Sequence, residues 1–347
     1  NISGNRIPNS EITPFEKNET EFGMDLRLFD NKLSIDATYY DNETVGDIVG
    51  VSASATSGYN SALANLGEIS NKGIELLVKG TIMQTADFAW NATLNYTNNE
   101  SKVVATNDTG GNISMDEPRS RNLRVTHIVG EKYGALYGSS FVRDANGAIV
   151  HEMVNGIPIP KVGPRKILGF GVAPTQLGIG SNFRYKDFDA GFLIEGKMGG
   201  QIYSGSNAYL KRNGHHKSTV PAGGREGGWV PTGVMEGGGA VTTSIPAAQQ
   251  EDYYRRSYLI AEQDVIDSDY MRLRQLSIGY TIPSDKLQGT FIDKATVSLI
   301  GRNLFFLSNN VDNVDPESAY NASNSAGLEY FALPVPRTIG LNVNLKF

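Results

Sequence analysis

The sequence predicts an all-β fold, a transmembrane antiparallel up-and-down β-barrel of which this chain is a part. Three observations predict it. Short segments alternate strictly between apolar and polar residues, they come in pairs joined by short turns, and long connections separate the pairs. Side chains on a strand alternate faces with period two, so each such segment is greasy on one side and polar on the other. A soluble sheet can alternate in the same way, but soluble domains rarely carry structureless connections beyond about 15 residues. Outer-membrane barrels combine short turns at one rim, long loops at the other, and strands that are apolar outside and polar inside.

The strands follow in order. Phe22, Met24, Leu26 and Leu28 alternate with Gly23, Asp25, Arg27 and Phe29; after a tight turn at Asp30-Asn31-Lys32 come Leu33, Ile35, Ala37 and Tyr39. A second pair runs through Ile74, Leu76 and Val78, turns at Met83 to Thr85, and returns as Phe88, Trp90, Ala92, Leu94 and Tyr96. A third passes Phe183 and Tyr185, turns at Lys186-Asp187, and returns as Phe188, Ala190, Phe192 and Ile194. A fourth starts near Asp269, carries Leu276, Ile278, Tyr280 and Ile282, and continues after Pro283 as Ala295, Val297 and Leu299. Met271 and Leu273 break the parity of Ile278, which predicts a bulge or an exit from the membrane there. The last strand is Ile339, Leu341, Val343, Leu345 and Phe347, interleaved with Gly340, Asn342, Asn344 and Lys346.

The long connections are expected at about 45–70, 101–164, 199–268 and 304–336, on the extracellular side if the chain ends on the periplasmic side. Nine strands do not close a barrel under the even-number rule. With the start at Asn1, that predicts the carboxy-terminal part of something larger, any secretory leader being removed or outside this sequence. The polar face includes Asp25, Arg27, Asp36, Asn91 and Asn95, and Arg27 is expected in the lumen or near an end.

Composition sets further bounds. The 347 residues carry a net charge of −6, and no basic face large enough to neutralise many phosphates is visible, which argues against nucleic acid. There is no cysteine, so disulfides and thiolate metal sites are excluded. No run approaches the roughly 18–20 apolar residues of a membrane helix, which excludes helical spanning and leaves a barrel open. The 39 glycines, many between apolar segments, predict extensive irregular loops.

Particular stretches also carry a resemblance. Glu16 to Leu26, Asp30-Asn31-Lys32-Leu33 and Thr38-Tyr39-Tyr40 are similar to SusC/RagA-type TonB-dependent transporters of Bacteroidetes. So are Ser57-Gly58-Tyr59 leading into Asn65 to Leu76, Phe183 to Phe188 with Gly199-Gly200-Gln201-Ile202-Tyr203, and Asp269 to Pro283. Gly301-Arg302-Asn303-Leu304, Asp315-Pro316-Glu317 and Pro336 to Phe347 complete the match in the right order. The resemblance implies a 22-stranded barrel of which this is the carboxy-terminal portion. It further implies a SusD-like surface lipoprotein as lid, outer-membrane lipid around the barrel, and import of a large nutrient such as an oligosaccharide or peptide. TonB–ExbB–ExbD would couple through an amino-terminal part, and two SusC–SusD pairs would form a homodimer. The amino-terminal domain, TonB box and plug have no counterpart in these residues.

Loops on a rigid scaffold carry recognition, and aromatic faces stack on sugars or pack on peptide side chains. Tyr133, Tyr137, Tyr209, Trp229, Tyr253 and Tyr254 are therefore candidate ligand contacts, each with loop packing, lipid anchoring or a lid contact as its plainer role. His215-His216 lack the i, i+4 spacing of a helical zinc pair, and Asp144-Ala145-Asn146-Gly147 lacks the twelfth-position glutamate of a calcium loop. Asp312, Asp315 and Glu317 are a minor calcium candidate, with Asp267 and Asp269 similar, against a reading as ordinary loop residues; Arg119, Arg121 and Arg124 are read as a solvated or ion-paired loop before an anion site. No nucleophile elbow, Walker loop or dinucleotide turn is found, so no catalytic residue, metal site or cofactor is expected. Gated import is the reading. The rivals are a barrel enzyme, a structural or adhesive surface barrel, and a subunit of a larger envelope complex.

Overall fold

A computed structural model of the chain describes residues 6–52, 55–59, 61–65, 67–106, 111–116, 122–318 and 326–347. One nine-stranded antiparallel sheet runs through it in sequence order. Its strands are β1 (Glu16–Leu28), β2 (Leu33–Val45), β3 (Glu68–Gln84), β4 (Phe88–Ala105), β5 (Thr175–Tyr185), β6 (Phe188–Met198), β7 (Tyr270–Ile282), β8 (Lys294–Asn309) and β9 (Thr338–Lys346). Each strand pairs with the next; among the described residues β1 and β9 each pair on one side alone, so the sheet is open at both edges.

The register explains the alternation. Leu26 lies opposite Ile35, Ile35 opposite Val78, Val78 opposite Leu94, Leu94 opposite Ile179 and Ile179 opposite Ile194. Past β6 the belt continues through Leu273 to Phe305, because Arg274 is an extra residue bulged out between Leu273 and Gln275. The broken parity at Met271 and Leu273 is thus a bulge that returns both residues to the apolar face. A second belt near the short turns is aromatic: Phe88, Tyr185, Phe188 and Tyr280 stand in register, with the last two rings 4.8 Å apart. Aromatic girdles mark the interfaces of transmembrane barrels.

This apolar face is not a protein core. Ile278 and Leu299 remain 54% and 53% exposed in mid-strand. Burial is found instead in the long connections, where the chain builds a cap at one end of the sheet. Leu123, Val125, Leu136, Tyr203, Ala261 and Leu328 pack together there, and Ile157, Ile159, Ile245 and Tyr253 form a second cluster. Transferring apolar surface out of water is worth about 25 cal/mol per Å², so a sheet face that leaves Phe22, Ile74, Tyr185, Ile278, Leu299 and Leu341 exposed calls for an apolar solvent.

The expected irregular loops are therefore a correction. A four-stranded sheet joins 113–116, 123–127, 135–141 and 162–170; small sheets tie 150–160 to 234–235 and 201–204 to 265–267 and 328–329; helices α1 (Gly205–Arg212) and α2 (Gln250–Ser257) complete the cap. The connections run 46–67, 106–174, 199–269 and 310–337, since β4 and β8 extend further than their apolar residues and β5 begins only at Thr175. The turn expected at Met83 to Thr85 sits at 85–87, because Ile82 is bulged between Thr81 and Met83 and shifts the parity. The turn after β1 holds Phe29, Asp30 and Asn31 in left-handed backbone, which short polar side chains tolerate best.

Candidate functional site: the polar wall and the loop cap

The face opposite the apolar belts is a wall of two characters. Along β1 to β3 it is charged: Asp25 stands opposite Asp36, with Arg27 3.3 Å from Asp25 easing the like-charge pair. In the middle of β4 to β7 it is mostly hydroxyl- or amide-bearing, with charge returning at Arg184 and Asp189 near the short turns and at Glu195, Arg272 and Arg274 toward the cap. A cavity of about 520 Å³ lies there, edged by Thr93, Asn95, Gln176, Asn182, Gln275 and Ser277, with Glu195 as its acidic member. Tyr40, Gly73 and Asn99 show why a glycine stands in the Asn71-Lys72-Gly73-Ile74 stretch. Gly73 pairs with Tyr40 on one side and Asn99 on the other, and the Tyr40 ring crosses it to donate to Asn99 Oδ1 at 3.1 Å. A Cβ on Gly73 would collide with that ring and come 2.6 Å from the Asn98 carbonyl.

The bulge on β7 turns Arg274 onto this wall beside Arg272. Asp315 and Glu317 reach down from the 310–337 connection to meet them. Arg272 Nη2 donates to Asp315 Oδ2 at 2.7 Å and its Nη1 to Glu317 Oε2, while Arg274 Nη2 donates to Glu317 Oε1 at 2.6 Å. Arg274 Nε also donates to Glu195 Oε2 at 2.7 Å, and Tyr270 Oη to Glu317 Oε1 at 2.8 Å. Phe306 covers the Arg272 guanidinium at 3.9 Å. Burial alone would raise the Glu317 carboxyl, but hydrogen bonds from Arg274 and Tyr270 and the two positive charges hold it below its ordinary range. Asp315 and Glu317 are thus committed to arginines and not arranged for calcium; Asp312 pairs with Lys217 at 2.8 Å.

Gly199 to Tyr203 form the joint between β6 and the cap. Gly199, at φ +86°, turns the chain and donates to Asp269 Oδ1 at 2.6 Å; Gln201 accepts from Phe170 N at 2.8 Å and donates to Asp267 at 3.2 Å. Tyr203 is buried in the cap core. At the next turn Glu329, 1% exposed, accepts from Ser204 Oγ at 2.9 Å and Ser206 Oγ at 2.5 Å at the start of α1, where a negative charge is favoured.

The six candidate aromatics divide into groups. Trp229, Tyr253 and Tyr254 come together, with Trp229 5.0 Å edge-on from Tyr253 and stacked over Tyr254 at 6.4 Å. Tyr254 also lines a cavity with Arg225 and Gln250. Tyr209 packs between Tyr258 and Phe331, at 5.4 and 5.9 Å. Tyr133 sits 4.3 Å from His127, its hydroxyl pushed up to about 12 by burial with Asp47 adding to it. Tyr137 is half-buried on the cap strand 135–141.

His216 caps the short turn at 217–219 by accepting from Ser218 N at 3.1 Å, and Asp144 Oδ1 accepts from Asn146 N and Ala148 N at 2.9 and 2.8 Å as an ordinary turn. Arg124 lies on the cap strand 123–127; Arg119 and Arg121 lie outside the described residues. His127 escaped the sequence reading. It is fully buried, neither ring nitrogen has a hydrogen-bond partner among the described residues, and burial lowers its pKa to about 4. Nothing in the pattern around it distinguishes it from a surface histidine.

Comparison with known proteins closes the argument. The family model described as TonB dependent receptor-like, beta-barrel, matches residues 1–304. The chain belongs to that family. The TonB-dependent receptors P3 and P26 of Formosa agariphila are 27% and 26% identical to it, over 95% and 99% of this chain. TonB-dependent receptor SusC of Bacteroides thetaiotaomicron is 25% identical over 56% of the chain. The solved RagAB peptide transporter superposes with a TM-score of 0.68 at 16% identity over 96% of the chain, a likeness of fold. The chain spans about a third of the length of these relatives, 34% of P3 and 36% of P26. The family is one of transporters and receptors rather than enzymes.

Proposed function

We propose that this chain is the carboxy-terminal barrel portion of an outer-membrane importer that takes up a large nutrient, an oligosaccharide or peptide, under a SusD-like surface lipoprotein. The observation that carries the reading is the inverted distribution of apolar surface: an exposed greasy belt around the sheet and a packed core confined to the cap at one rim. That rim, with its long connections, is the extracellular one in this reading, and the short turns with their aromatic girdle face the periplasm. Energy comes from TonB–ExbB–ExbD through the part of the protein that precedes these residues, and paired complexes form a homodimer. Ligand contact by Tyr133, Tyr137, Tyr209, Trp229, Tyr253 and Tyr254 belongs to the same proposal, with Tyr254 the foremost because its ring edges a cavity.

The test uses the whole protein purified from membranes. Peptide mapping is expected to place it in the outer-membrane fraction with plug peptides upstream of Asn1, and uptake of its solute is expected to stop when TonB is deleted. Uptake that survives loss of TonB, or a mature protein lacking any plug, overturns the reading in favour of an adhesive or structural barrel.

A further inference from the structure

We infer that the inner face of β4 to β7 is the side of the barrel down which the solute travels, along a groove that Gly178 and Gly180 keep open. The inference rests on the import reading above and deepens it. The groove is the cavity of about 520 Å³ on the polar wall, and its lining on β5 reaches from Gln176 to Asn182. At roughly 3.3 Å per residue it follows that strand for about 20 Å.

Glycine weakens a strand interior, and where it stands in one it marks a bulge, a tight bend or the close approach of something else. Gly73, Gly191 and Gly279 are accounted for by crowding, since a Cβ on each would come within 2.8 Å of a neighbouring atom. Gly178 and Gly180 are different. They occupy successive positions on the inner face of β5, and a Cβ there would meet no described atom nearer than 3.6 and 3.8 Å. Neither has a positive φ, and β5 pairs with both β4 and β6 over Thr175–Tyr185 without a register shift, so there is no bulge. The fold has room for side chains at both positions and carries none, which leaves that room for something that comes and goes.

The lining suits transit rather than retention. Asn95, Gln176, Asn182 and Gln275 hold out amides that make no hydrogen bond among the described residues, so each can exchange water for a solute group and then release it. Passage needs contacts of this kind, several along the way and each weak enough to leave. The single charged residue of this lining, among the described residues, is Glu195, and Arg274 neutralises it at 2.7 Å beneath the connection that Asp315 and Glu317 fasten. The inner face of β1 to β3 is unlike this. Asp25, Arg27, Asp36, Glu75 and Lys79 load it with fixed charge, and the amides of Asn42, Asn71 and Asn99 are engaged with neighbouring side chains. Fixed charges of both signs suit a seat for another segment of the protein itself, leaving the neutral side to the solute.

The experiment uses cells that lack this protein and are given back the full-length chain, wild type or altered. They are fed tryptic casein peptides mixed with oligosaccharides from acid-hydrolysed plant polysaccharide, and mass spectrometry follows the components that leave the medium only when TonB is present. Gly180→Trp fills the groove. Gly23→Trp, where a Cβ likewise meets no described atom nearer than 3.8 Å, sets the same ring on the charged wall as the control. Gly180→Ala asks whether the glycine serves only to bend the strand, and heat-modifiable migration checks that each variant folds. Uptake that falls at least fivefold further in Gly180→Trp than in Gly23→Trp, with Gly180→Ala within twofold of wild type, supports the groove. A smaller difference, or a Gly180→Ala more than twofold below wild type, overturns it. Gly180→Cys in cysteine-free full-length protein separates solute from a resident segment, and decides alone should the tryptophan variant not fold. An excess of the depleted components should slow its labelling by a hydrophilic maleimide at least twofold, and a lesser effect overturns the inference. In either failure TonB-dependent depletion by the wild type leaves the import reading standing, whereas the absence of any such depletion removes the import reading itself.

Discussion

Replacing Arg272 by methionine should release the 310–337 connection from the wall without disturbing the sheet. Arg272 and Asp315 have side chains only 3% and 4% exposed, and Glu317 16%. Methionine preserves the packing against Phe306 and leaves the β7 backbone ladder intact, so the change is confined to charge. Glu317 keeps Arg274 and Tyr270. Asp315 loses its cation and retains two backbone donors, Glu317 N at 3.0 Å and Val335 N at 3.1 Å. Removing one partner of a buried pair costs about 3–5 kcal/mol, and the remaining donors place Asp315 at the lower end, about 3 kcal/mol. At about 1.4 kcal/mol per decade this is a roughly hundredfold rise in local opening.

The assay is amide hydrogen exchange in the full-length protein. Ser318 N and Val335 N, which donate to the Asp315 carbonyl at 2.9 Å and to its carboxylate, should lose about two decades of protection. Arg272→Lys should fall between, since an ammonium keeps the charge and gives up the fork that spans Asp315 and Glu317. Adding Asp315→Asn to Arg272→Met should recover much of the protection, because no buried charge is then left alone. A loss below threefold in Arg272→Met would refute the idea that this ion network anchors the connection.

Three further outcomes follow from the same geometry. Gly73→Ala drives a methyl into the Tyr40 ring and should cost about 1–3 kcal/mol, read as a lower temperature for the loss of heat-modifiable migration; an unchanged transition would mean the ring moves aside freely. His127 is neutral when folded, with a pKa of about 4 against about 6.5 unfolded, so acid favours the unfolded cap: stability is constant above pH 6.5 and falls as pH drops toward 4, by about 3 kcal/mol in all. Exchange protection around 123–127, corrected for intrinsic rate, should weaken between pH 7 and 5 in wild type and not in His127→Phe. The 347 residues expressed alone should fail to give a protease-resistant, heat-modifiable barrel, because β1 and β9 leave two unpaired edges that lipid does not satisfy.

The division between what the sequence reveals and what it hides follows the two solvents. Wherever lipid bathes one side of a strand and water the other, each residue must declare its face, and Phe22 to Leu28 or Phe88 to Tyr96 can be read directly. The bulge at Arg274 was legible for the same reason, as a slip in parity. Past the lipid both faces are wet, and the pattern falls silent: Asn98, Asn99, Glu100 and Ser101 continue β4 with no alternation to mark it. The cap is hidden more deeply, since Leu123, Tyr203 and Leu328 share one core although some 200 positions part the first from the last. The candidate site was half visible. Aromatic residues in the loops were picked out, but their mutual packing, and the arginines that claim Asp315 and Glu317, depend on distances that spacing along the chain does not encode. Glycines such as Gly73 and Gly199 carry the most information for their size, because each marks a place where another chain segment must come close or the backbone must turn left-handed. Their message names the constraint and not the partner, and the partner is what makes a site.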